Sequence, residues 1–131
     1  MKEILVPISP GELLDKITIL RIKAARMSDA AKVANVRHEL ALLEKVWTDC
    51  GAAAADLGSE EANLTRVNEA LWIIEDDIRD EERAGRFGPR FIELARAVYV
   101  TNDERAAIKK RVNTLLGSSI VEEKSYKPYT P

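Results

Sequence analysis

Asn68, Trp72, Glu75, Arg79 and Glu82 step by four and three along the chain. At about 100° per helical residue, that spacing lines them up as one stripe. The stripe runs beside an apolar seam of Leu64, Val67, Leu71, Ile74 and Ile78. Farther on, Arg105 falls inside an apolar sector, flanked by Lys109 and Asn113. Asp15 and Arg26 share a face with Ile19 and Ile22. Packed together, these groups make a mixed pocket of carboxylates, cations, amides and one indole. Desolvating them is costly unless each is paired or touches a ligand. The chemistry they suit is capture of an anionic metabolite. Arg105, Lys109 and Arg79 would hold a phosphate or carboxylate, which the planar fork of arginine fits. Trp72 would cover an apolar or ring portion, with Asn68 and Glu75 completing the set. A plainer account uses the same residues. Glu75 satisfies Arg79, an i,i+4 pair, or Arg105, and Trp72 is an ordinary core aromatic. The chain is then a non-catalytic structural or protein-interaction module. The pattern suits a binding protein and an enzyme alike.

Other chemistry-bearing residues carry less. The run Glu75 to Glu82 invites a magnesium reading, with Asp76 and Asp80 on one face and Glu39 and Glu44 as partners. Asp76 and Asp80 point away from the seam, and Glu39 and Glu44 are five apart, which splays them. A charge run is usually a solvated face, so no metal and no cofactor are expected. The single histidine, His38, falls on a charged side of its helix, and with one cysteine, Cys50, the chain lacks the ligands for a His/Cys zinc site. Ser9 reads as a helix cap rather than a catalytic hydroxyl.

The 131 residues are the size of one domain. Hydrophobic residues make up 46%, enough for a core. Twenty Lys+Arg against 22 Asp+Glu leave a net charge of −2, which argues against a dedicated nucleic-acid binder. Lys109-Lys110-Arg111 is too short a basic cluster to change that. No apolar run approaches the ~20 residues of a membrane span, and Ile4 to Ile8 is too short for a signal segment. A lone cysteine fits a reducing compartment, so a cytoplasmic protein is expected.

The elements that must position these residues are helical. Ser9, Pro10 and Glu12 read as a capping box opening a helix to Arg26. Ser28-Asp29 caps a second helix, to Asp49, with Gly51 as its stop. Ala52 to Gly58 connects to a third helix from Ser59 to Ala84. Pro89 opens a fourth, to Tyr99. Thr101 to Glu104 reads as another capping box, opening a fifth from Asn102 to Gly117. Val33, Val36, Leu40, Leu43 and Trp47 form a seam like that of the third helix, so the second and third helices are expected to pair as an antiparallel hairpin. The fold class expected is all-α, a four- to five-helix bundle with that central hairpin and short extended termini. Residues 1–117 form the bundle and 118–131 a tail, with Ile120, Val121 and Tyr126 available to pair with Lys2 to Ile8. The first helix carries apolar residues on two sides, and Ile73 projects from the third, so a homo-oligomer is expected.

The segments Val6–Leu20, Asn68–Arg79, Phe91–Arg96, Tyr99–Arg105 and Glu122–Tyr126 resemble a small bacterial family, a domain of unknown function. The resemblance covers most of the chain. It implies a bacterial cytoplasmic protein and brings no activity, substrate or catalytic residue. Leu13 to Arg26 is also similar to helical chorismate mutases, in which basic residues grip a dicarboxylate. The paired Glu-x-x-Glu and Glu-x-x-Asp helices of all-helical nucleotide pyrophosphohydrolases are not reproduced.

Overall fold

A computed structural model describes all 131 residues of the chain. Ser9 stands in extended backbone, and its Oγ accepts the backbone N–H of Glu12 at 3.2 Å. Pro10 takes the first helical position, where its missing N–H costs nothing. Helix α1 spans Pro10–Arg26. Asp29 caps α2, Ala30–Asp49, by accepting from the Lys32 N–H at 3.1 Å. Gly51, with φ of 87°, turns the chain out of α2 into a single 3-10 turn, Ala52–Ala54. Helix α3 spans Glu60–Ala84, with acids in its positive first turn. Helix α4 spans Pro89–Leu115. The chain is thus all-α, a four-helix bundle without strands.

Three expectations change. First, the fourth and fifth helices are one. Thr101 to Glu104 runs straight through α4, and Glu104 pairs with Arg66 on α3 at 3.0 Å. A cap is worth about 1 kcal/mol. Breaking the helix there would forfeit several backbone hydrogen bonds and the packing on α3, so the cap signal loses. Second, the antiparallel hairpin is built by α3 and α4, not by α2 and α3. The ion pairs Glu60–Arg111, Arg66–Glu104 and Asp77–Arg90 mark its steady register. α2 lies on α1 instead. Periodicity shows which face of a helix is apolar; it does not name the face that will cover it. Third, the extended ends do not pair. Lys2 to Ile8 forms no strand, and Leu5 is 89% exposed. The C-terminal segment lies along α4 instead.

α1 is the centre of the bundle and touches all three other helices. Leu14, Ile17 and Thr18 are fully buried, joined in the core by Trp47 of α2, Leu64 and Val67 of α3, and Ile108 and Val112 of α4. Both apolar sides of α1 are therefore covered within one chain. Ile73 stands 48% exposed on α3. Between Trp72 and Thr101, Leu94 is the sole buried residue, so the far end of the hairpin is thinly covered. No helix is long and apolar enough to cross a membrane.

Candidate functional site

Arg105, Lys109 and Asn113 recur every four residues and so line one stripe of α4. The first turn of α1 lies across the far part of that stripe. The Gly11 N–H, one of the donors a helix start leaves without a partner, donates to Asn113 Oδ1 at 2.7 Å. Beside it, Lys109 Nζ is held by Glu12 at 2.6 Å and by Glu122 at 3.1 Å, leaving Lys109 only 6% exposed. Burial by itself would lower the Lys109 pKa. The hydrogen bonds from Glu12 and Glu122, with the fields of Glu12 and Asp15, outweigh it and hold the ammonium above its ordinary 10.5. Burial likewise opposes charge on Glu12. The hydrogen bond and field of Lys109, helped by Lys16 and Arg105, hold its carboxyl below the ordinary 4.5. Only half of the expected capping box forms, because the Glu12 carboxylate turns to Lys109 and Lys16.

After Gly117, whose φ of 64° reverses the chain, the C-terminal segment returns along α4. Ser118 N–H donates to the Asn113 carbonyl at 2.9 Å. Glu122 meets Lys109, Lys124 pairs with Asp103, and the Tyr129 ring packs on Tyr99 at 5.5 Å. Between segment and helix lies a groove of about 1320 Å³. Its lining carries five cations, Arg105, Lys109, Lys110, Lys124 and Lys127, against the carboxylates of Asp103, Glu122 and Glu123. Arg105 is half-buried in that lining and makes no ion pair, although its field reaches Glu12.

The six residues singled out in the sequence fall into three places. Arg105 and Lys109 share the groove. Asn68 lies in the interior, between α1 and α3. Its amide donates to Asp15 Oδ1 at 2.9 Å and to Thr18 Oγ1 at 3.0 Å, and the Thr18 hydroxyl donates to the Asp15 carbonyl at 2.8 Å. This node is closed on itself, each polar group meeting another within it. Replacing Asn68 by leucine keeps the branched shape with some added bulk and strips the donor from a buried carboxylate. The expected loss is about 2–3 kcal/mol, measured by urea unfolding. Pairing it with Asp15→Leu should recover most of that loss, because no orphaned charge is then left.

Trp72, Glu75 and Arg79 lie on the thinly covered part of α3. Trp72 and Glu75 are half-buried, and Arg79 and Glu82 are exposed. Glu75 pairs with Arg79 one turn away, not with Arg105. None of these four lines the groove. The helical wheel places the stripe on the correct side of α3, but enclosure requires a third helix over it, and burial is already lost by Trp72. His38 and Cys50 are exposed. No three His, Cys, Asp or Glu side chains gather closely enough to hold a metal ion.

Sequence reasoning missed Gly11, Glu12 and Glu122 as members of the site. Glu12 was absorbed by its capping signature. A glycine between Pro10 and Glu12, inside the first turn where a better helix former is free to stand, was the available signal for a close helix crossing. Nothing local marks Glu122, whose partner lies 13 residues back on another element.

The model of a family of unknown function, DUF6165, matches residues 4–131, and the chain belongs to that family. No curated protein and no solved structure matches the chain.

Proposed function

We propose that this member of the DUF6165 family binds an anionic small molecule, a phosphate or carboxylate compound, in the groove between α4 and the C-terminal segment. The single observation carrying the reading is Arg105. It is a half-buried arginine without an ion-pair partner, lining a ligand-sized groove together with Lys109 and Lys110. Ligand pockets commonly enclose about 300–1,000 Å³, so space is not limiting. A half-buried cation has lost part of its hydration, and a planar oxyanion can restore it through paired N–H donors. Lys109 supplies a second charge already drawn into position by Glu12. The groove replaces the pocket expected between the first, third and fifth helices, and retains from it Arg105 and Lys109.

Inorganic phosphate, pyrophosphate and small di- and tricarboxylates are the probes. A ligand at about one hundred times its Kd stabilises by roughly 2.7 kcal/mol. Such a ligand should raise Tm by about 5–10 °C for a domain of this size. Arg105→Ala should abolish the increment while leaving the unliganded Tm nearly unchanged, because Arg105 makes no ion pair to lose. A full panel without a thermal shift removes the reading.

A further inference from the structure

We propose that the C-terminal segment is a displaceable strap, with Glu122 standing where the ligand anion would sit. The inference rests on the anion-binding reading above and adds a regulator to the same groove. Lys109 holds two carboxylates of unlike character. Glu12 comes from the packed first turn of α1, at 2.6 Å, with its side chain one-third exposed. Glu122 comes from a segment without secondary structure, at 3.1 Å, and is 55% exposed. The first is fixed by the bundle, whereas the second can leave without disturbing the core. The remaining ties between the segment and α4 are the Ser118 N–H to the Asn113 carbonyl at the chain reversal, the exposed Lys124–Asp103 pair and the Tyr129–Tyr99 contact. Exposed ion pairs of this kind contribute little and weaken with salt. The segment thus covers the groove at small cost in detachment. Beyond the reversal at Ser118, its one anchor on a buried group is an anion on the cation that an incoming anion needs. Ligand and Glu122 compete for Lys109, and ligand capture loosens the strap.

The test uses the full chain, with pyrophosphate as the probe in isothermal titration. Glu122→Gln keeps the shape and removes the competing charge. It should tighten pyrophosphate binding by about five- to tenfold, the range between an exposed and a partly buried ion pair. Glu82→Gln makes the same change in net charge on α3, at an exposed side chain that forms no ion pair and lies outside the groove, and should shift affinity less than about twofold. In the unaltered chain, pyrophosphate should also speed tryptic cleavage after Lys124, because the segment leaves α4 as Glu122 is displaced. Binding that is equal in all three chains, or weaker in Glu122→Gln, overturns the strap and leaves the anion site standing. Binding with slower cleavage after Lys124 also overturns it, since the segment would then be closing over the ligand. Absence of binding in every chain, Glu122→Gln included, removes the anion-binding reading itself and the competition with it.

Discussion

Gly11→Ala is expected to destabilise the protein by about 3 kcal/mol, a loss seen when a tight interface is overfilled. For a chain of this length that lowers Tm by roughly 10 °C. A Cβ at residue 11 would stand 2.4 Å from the Lys109 carbonyl oxygen and 2.8 Å from Asn113 Oδ1. The carbonyl belongs to the body of α4 and cannot swing aside. The Asn113 amide can, but only by abandoning the Gly11 N–H that it accepts at 2.7 Å. The first turn of α1 must therefore back away, carrying Glu12 from Lys109. Alanine favours a helix over glycine by about 1 kcal/mol, so the intrinsic preference runs the other way and is outweighed. Gly88→Ala serves as the control. Gly88 has nothing within 4 Å of an added Cβ and is the N-cap of α4, so its replacement should cost no more than about 1 kcal/mol, well below the loss at residue 11. Thermal unfolding of both variants decides the matter. A Gly11→Ala protein as stable as its parent would show that the crossing of α1 and α4 is looser than described.

Lys109→Met should cost about 2 kcal/mol at neutral pH, somewhat below the loss for breaking a fully buried pair, because Glu12 and Glu122 can partly rehydrate. Its pH dependence is the sharper result. Glu12 titrates lower in the folded chain than its ordinary 4.5, so its contribution is present above that pH and is lost as the pH falls through the folded value. Lys109 titrates higher than its ordinary 10.5, so its contribution is present below that pH and is lost as the pH rises through the folded value. The stability gap between the parent and Lys109→Met should therefore be widest between pH 4.5 and 10.5. It should close in acid and in alkali. Denaturant unfolding across that range measures it. A gap independent of pH would mean that lost packing of the lysine stem, not its charge, sets the penalty.

The two variants act on one junction, where Gly11 and Glu12 of α1 meet Lys109 and Asn113 of α4. This is where local and global information part. Ser9 at the start of α1, Asp29 at the start of α2 and Gly85 at the end of α3 do what their types predict, because a cap or a left-handed turn is settled within a few residues. Arg105 was legible as out of place for the same reason, since its position on the wheel depends only on its neighbours in the helix. Glu12 was not legible, because its nearer role as a cap partner hid its longer reach. Thr101 to Glu104 misled because a motif worth about 1 kcal/mol was read without the helix packed beside it.

By itself, the order of residues determined the helical class, most helix ends, the apolar face of each helix and the awkward cations of α4. These follow from backbone hydrogen bonding and from a period of 3.6 residues, both of short range. Only the folded chain decided that α3 pairs with α4, that α1 lies at the centre, and that the C-terminal segment brings Glu122 to Lys109. An apolar face attracts any other apolar face. The choice among them rests on chain reversal, on shape at contacts such as Gly11, and on charges that meet only after the helices have packed.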